Sequence, residues 1–169
     1  MIRYAGMILI AAACTACGFI FSGNIRKRLR QLELFISFFD DIIKYIEVYK
    51  YTVEKIFIVY DDAELKFFLD KLKKNGRIDG VYRNPWVRTL QQCKDEGLLY
   101  FKEREFNIIK EFGSRLGAGR AEEQLAHLNL YADKLKDIYA SESERELNHA
   151  KLYRWSGGLV GLLTCILLI

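Results

Sequence analysis

The stretch Glu122–Ile169, EEQLAHLNLYADKLKDIYASESERELNHAKLYRWSGGLVGLLTCILLI, decides the fold. Its first half carries Leu125, Leu128, Tyr131, Ala132, Leu135, Ile138 and Tyr139, spaced by threes and fours. That spacing puts them on one helix face, and the face needs a partner. From Ser141 to Lys151 the stripe yields to Glu142, Glu144, Arg145, Glu146 and Asn148, so charge surrounds the helix as in a solvated stalk. From Trp155 to Ile169 there is no charge at all, and Leu, Ile, Val and Gly dominate. The reading is one helix of roughly 70 Å that begins in water and ends in a membrane.

Working outward, hydropathy divides the rest of the chain in the same way. With 169 residues the chain is the size of one domain. All 22 acidic residues, and every basic residue but Arg3, lie between Gly23 and Arg154. Residues 1–23 read as a transmembrane helix, 24–154 as a cytoplasmic helical bundle, and 155–169 as a second, short transmembrane helix. Tyr4–Ser22 is long enough for a hydrocarbon core of about 30 Å. The tail gives only roughly 22 Å, so it relies on bilayer thinning or on packing against the first span. Small residues for such packing stand at Ala12, Cys14, Ala16 and Gly18, facing Gly157 and Gly161. Arg26, Lys27, Arg28 and Arg30 follow the first span, and Lys151 and Arg154 precede the second. These six fit lipid headgroups, and their position makes the middle cytoplasmic with both termini outward. An alternative is an extracytoplasmic lipoprotein with a helical domain, processed at Cys14 or Cys17 after Ala11-Ala12-Ala13. The basic cluster after the segment resists that export.

The middle predicts an all-α bundle of five to six helices. The first, about Asn24–Lys50, has a seam of Leu29, Leu32, Ile36, Phe39, Ile43 and Ile46, widened by Phe35, Ile42 and Tyr49. It can lie antiparallel to the closing helix. Thr52 is placed to cap a short helix bearing Val53, Ile56, Phe57 and Tyr60. Asp61 or Asp62 caps another with Leu65, Phe68, Leu69 and Leu72 on one face, stopped near Asn75-Gly76, and Lys73–Arg83 is the one clear loop. Asn84-Pro85 opens a helix with Trp86, Leu90 and Cys93 on its stripe, ended by Gly97. A further helix spans about Tyr100–Leu116, with Gly113, Gly117 and Gly119 where a left-handed C-cap would form.

No catalytic constellation stands out, and no cofactor or metal is expected. His127 and His149 lack metalloprotease spacing, and Gly117-Ala118-Gly119 lacks the Gly-Lys-Ser/Thr of a phosphate loop. A net charge of +4 is too mild for nucleic-acid binding. Only Cys93 lies in the polar middle, so that part cannot staple itself with a disulfide, as fits a reducing compartment.

Phe112-Gly113-Ser114-Arg115-Leu116-Gly117, followed by Gln124 and Leu128, resembles a turn of the stage III sporulation protein AB family. Arg30-Gln31-Leu32 on the first helix, the mid-chain Trp helix and Tyr153-Arg154-Trp155-Ser156-Gly157 before the Leu-rich tail extend the likeness over the whole chain. The resemblance implies a non-enzymatic subunit of the machine joining mother cell and forespore. Its cytoplasmic domain would be similar to F-type platform proteins of type II secretion. Its partners would be a cytoplasmic secretion-type ATPase, other sporulation membrane subunits and lipid, and the picture is compatible with a homo-oligomer. The structural turn is Phe112, Gly113, Leu116, Gly117 and Gln124. The polar faces expected to meet a partner are Ser114, Arg115, Arg120 and Glu123.

Overall fold

The structure, a computed structural model, describes the backbone of residues 2–78, 81–82, 84–118 and 120–168. Side chains are described mainly over 19–76, 84–118 and 122–152. Six helices lie among these residues: α1 (Ile2–Glu47), α2 (Val53–Val59), α3 (Lys66–Asn75), α4 (Trp86–Asp95), α5 (Glu103–Ser114) and α6 (Ala121–Leu168). Two compact units result, Met1–Leu29 with Ala140–Ile169, and Arg30–Tyr139. Packing thus divides the chain at other points than hydropathy does.

In the larger unit, the α1 seam predicted from its threes and fours is buried, but its axis is shifted. Leu32, Phe35, Phe38, Phe39 and Ile42 are fully buried, whereas Ile36 is half-buried and Tyr49 is exposed. Phe38 belongs to this face although a strict heptad leaves it out, because short helices cover a wider arc than a single partner helix would. From α6, Leu128, Ala132, Leu135 and Ile138 are buried, while Leu125, Tyr131 and Tyr139 form the rim. Lys136 on α6 donates to Asp40 on α1 at 2.7 Å.

Turn chemistry sets the ends of the short helices. Thr52 Oγ1 accepts from the Lys55 N–H at 3.4 Å, a long cap. Asp62 Oδ1 accepts from the Glu64 and Leu65 N–H groups at 2.8 and 3.1 Å, starting the turn that leads into α3. Burial and the nearby Asp41 carboxylate push the Tyr60 hydroxyl above its ordinary pKa. Gly97 ends α4 with φ +69°. The fifth helix starts later than its apolar pattern predicts. Gln31 on α1 accepts from the Tyr100 N–H at 2.9 Å and donates to the Leu98 carbonyl at 2.8 Å, which holds the chain extended there. The Lys102 N–H then meets Glu105 Oε2 at 2.8 Å, and the helix begins.

Helix α3 ends at Asn75 with Gly76 as its cap, where the Asn75-Gly76 pair predicts the stop, and the Asn75 amide donates to Thr89 Oγ1 and Gln92 Oε1 at 3.0 and 3.2 Å. The loop expected over Lys73–Arg83 is corrected, because its first residues belong to α3 and its later ones form a hairpin. Beyond α3, β1 (Arg77–Ile78) and β2 (Val81–Tyr82) pair antiparallel, Arg77 with Tyr82 and Ile78 with Val81. Among the described residues this hairpin is the one regular element that is not a helix.

In the smaller unit, Ser22, Arg28, Leu29 and Ala150 are buried. Among the described residues no helix is long and apolar enough to cross a membrane. The spans expected at 1–23 and 155–169, and the small-residue packing between them, fall mostly on side chains outside the described residues.

Two outcomes follow from this packing. Lys50, three residues beyond the end of α1, has φ +53°, a conformation that glycine adopts without the steric penalty of a Cβ. Lys50→Gly should therefore raise stability by roughly 0.5–1 kcal/mol in thermal denaturation, and a destabilised variant would mean the lysine side chain holds the turn. Cys93 is fully buried, and that burial pushes its thiol up to about 11. With Cys14, Cys17 and Cys165 replaced by Ser, a thiol reagent at pH 8 should label Cys93 only at the rate of unfolding; prompt labelling would contradict this packing.

Candidate functional site

The last carbonyls of a helix have no partner within it. At the end of α5 a side chain from outside supplies one. Asn84 Nδ2 donates to the Gly113 carbonyl at 2.7 Å and to the Leu116 carbonyl at 2.9 Å. The same amide accepts the Trp86 N–H on Oδ1 at 3.0 Å, so Asn84 bonds the first residue of α4 and also closes α5, while Pro85, expected as the first helical residue, takes the cap position. Pro85 supplies the carbonyl that Thr89 N–H reaches at 2.9 Å. Ser114 Oγ turns back onto the Glu111 carbonyl at 2.8 Å.

Trp86 completes the interlock. Its indole Nε1 donates to the Ile109 carbonyl at 2.9 Å. The ring lies 5.2–6.1 Å from the rings of Phe38, Phe39, Phe57, Phe68 and Phe112. Gly113 faces it directly: a Cβ built there would fall on the indole. The expectation that Gly113 forms a left-handed cap is therefore corrected. It lies within α5, and its lack of a side chain makes room for Trp86. Gly117 is the left-handed residue, φ +80°, and a Cβ there would meet only Val53 at 3.7 Å. Gly119 lies outside the described residues. Each apolar position of the Phe112–Gly117 turn thus has its own task. Phe112 stacks on Phe39 with centroids 3.5 Å apart, Gly113 admits the indole, Leu116 is buried and Gly117 reverses the chain.

Around this rigid base the polar residues face water. Ser114, Arg115, Arg120 and Glu123 are all exposed, the first two on the rim of the turn and the last two at the start of α6. Gln124 is buried beside them, and its N–H donates to the Arg120 carbonyl at 2.9 Å. The arrangement offers a recognition surface on a fixed backbone. Among the described residues no group of three or more His, Cys, Asp or Glu side chains is placed to hold a metal.

The basic residues expected at lipid headgroups divide. Arg26, Lys27 and Lys151 are exposed, and the Arg154 side chain lies outside the described residues. Arg30 is exposed but engaged, bidentate to Glu64 at 2.6 and 2.9 Å and to Glu33 at 2.8 Å. Its hydrogen bonds draw the Glu64 carboxyl below the usual range. Arg28 is only 5% exposed and pairs with Glu142 at 2.7 Å and Glu146 at 3.2 Å. The helix turns it inward, away from the face that Arg26 and Lys27 present. Sequence reasoning assigned Asn84 and Gln31 no role beyond a cap and a family likeness. Their tasks depend on backbone groups 29 to 69 residues away.

The two glycines should therefore respond differently. Gly113→Ala gains helix propensity yet displaces Trp86, and should destabilise the fold by roughly 3 kcal/mol. Gly117→Ala strains only one backbone position and should lose about 1 kcal/mol. Urea unfolding followed by Trp fluorescence tests this, and equal losses would refute the packing role of Gly113.

A family model described as Stage III sporulation protein AB matches residues 3–169. The stage III sporulation protein AB of Bacillus subtilis is 25% identical over the full length of both chains. A response regulator protein GraR of Staphylococcus haemolyticus is 24% identical over 82% of this chain, but the match spans only 55% of that protein. The two identities are nearly equal, so end-to-end coverage and the family model decide between them. No solved structure matches. The chain belongs to the stage III sporulation protein AB family.

Proposed function

We propose that this sporulation protein is a non-enzymatic membrane subunit of the secretion-like channel complex between mother cell and forespore. In this reading its middle domain faces the mother-cell cytoplasm and docks a secretion-type ATPase, while its ends contact lipid and other membrane subunits. One observation carries the membrane part. In the smaller unit, Phe19, Ile20, Phe21, Leu152, Trp155 and Leu159 are each more than half exposed. Side chains of this size and number in water are unfavourable at about 25 cal/mol per Å², and a bilayer removes that exposure. Exposed Arg26, Lys27 and Lys151 stand next to them in sequence, as at a lipid headgroup layer. The docking part rests on the exposed Ser114, Arg115, Arg120 and Glu123, set on a turn that Asn84 and Trp86 immobilise. A rigid base lowers the ordering cost of association.

Reporter fusions within 75–80 and after Ile169 test the topology. A cytoplasmic reporter at the first site and an outward one at the second are expected. An external reporter at the first site would sink this reading in favour of an extracytoplasmic anchored protein. The docking is tested by co-purification of the secretion-type ATPase of the same sporulation complex. Arg115→Glu with Arg120→Glu should weaken capture at least tenfold while leaving the circular dichroism spectrum unchanged. Unchanged capture would remove the turn from the interface.

A further inference from the structure

The smaller unit contains stretches of α1 and α6 alone, Met1–Leu29 and Ala140–Ile169, and a charged cluster joins them. Arg28, 5% exposed, reaches Glu142 at 2.7 Å and Glu146 at 3.2 Å. The cluster lies at the end of the α1 stretch and near the start of the α6 stretch, and Ser22 and Ala150 are buried farther along each. The two helices therefore run antiparallel. Glu142 and Glu146 are one turn apart, so they share a face of α6 and hold the guanidinium between them.

The rest of this pairing carries little information about register. Ser22 and Ala150 are small, and apolar contact is non-directional, so it permits a slide by one turn at little loss. The cluster does not. A slip of one turn, about 5.4 Å, sets Arg28 between Glu146 and Ala150, or between Ile138 and Glu142. Either slip replaces one carboxylate with an apolar side chain. On the other helix, the residues one turn from Arg28 are Asn24 and Leu32, and neither carries a charge. Glu144 lies between the two glutamates in sequence but is exposed on another side of α6. A charged or polar group satisfied in one alignment only is a means of fixing register.

We infer that Arg28 with Glu142 and Glu146 is the register key of the α1–α6 pair in this unit. It selects one stagger among several that apolar packing accepts. That stagger has a consequence at the apolar ends. Exposed Phe21 stands seven residues before Arg28, and exposed Leu152 six beyond Glu146. Both helices thus begin to expose large apolar side chains about 10 Å from the cluster, and the key sets them level. Only the use of that level, at a bilayer surface, rests on the membrane reading proposed above; the register does not.

The test is a spin-label distance in the full-length protein in detergent micelles. Cys14, Cys17 and Cys165 are replaced by Ser, and buried Cys93 is kept. The labels go on Asn24→Cys and Leu159→Cys, both exposed positions. Their separation along the axis changes with every slip. One distance is expected with the cluster intact. Glu142→Gln leaves Arg28 one carboxylate, Glu146, both in the native register and in the slip that sets it between Glu146 and Ala150. A second population is therefore expected, shorter by up to about 5 Å. Glu146→Gln permits the opposite slip and should add a longer one. A single unchanged distance in both variants, or changes of the same sign, would overturn the register key. Loss of the helical circular dichroism signal in either variant would do so too, because the cluster would then be a condition of folding. Reporter fusions that place the middle domain outside would defeat the membrane reading and leave these distances as expected.

Discussion

The fit of the Trp86 indole against Gly113 is the constraint on which the larger unit depends. The ring needs a partner for its N–H and a dry place for its two faces, and only one location supplies both. The Ile109 carbonyl satisfies the nitrogen, and phenylalanines from α1, α2, α3 and α5 surround the carbon surface. Such closeness between α4 and α5 requires a residue without a side chain, which fixes Gly113. With α4 and α5 so close, Asn84 comes within reach of the carbonyls at the end of α5, and the turn to Gly117 becomes rigid. Core packing, helix capping and the surface at Ser114 and Arg115 are consequences of one contact.

Much of the fold was legible because helices report themselves through local spacing. The stripes of α1, α3, α4 and α6 came from the repeat of threes and fours, and Thr52, Asp62, Asn84 and Gly97 marked ends through chemistry confined to a few residues. The hairpin at Arg77–Tyr82 was missed because strands of two residues have no period to detect. A signal was present, since Asp79-Gly80 lies between two β-branched residues, a pair that tight hairpins favour. A strict heptad omits Phe38 for a different reason. A heptad describes one facing helix, and α1 faces several.

Within the candidate site, what the sequence disclosed was residue type, not task. Gly113 and Gly117 look alike in a motif, yet one relieves a steric conflict between side chain and helix and the other a backbone torsion. Arg28 similarly looks like Arg26 and Lys27 in a basic cluster. Only the structure shows it enclosed with two glutamates in the smaller unit, where two carboxylates share one buried charge. Charge runs read as a headgroup layer thus contain both exposed cations and structural ones, and the difference is a rotation of about 100° per residue around the helix.

The ion pair from Lys136 to Asp40 links residues 96 apart in the chain. Helices α2 to α5 pack largely with their sequence neighbours, so they can assemble as they leave the ribosome. The α6 stripe from Leu128 to Ile138 is synthesised last among the elements of that unit. Until it arrives, part of the apolar surface that it buries faces water in the nascent chain. The order of synthesis, and not only the final packing, therefore bears on how long the unfinished bundle is exposed to aggregation.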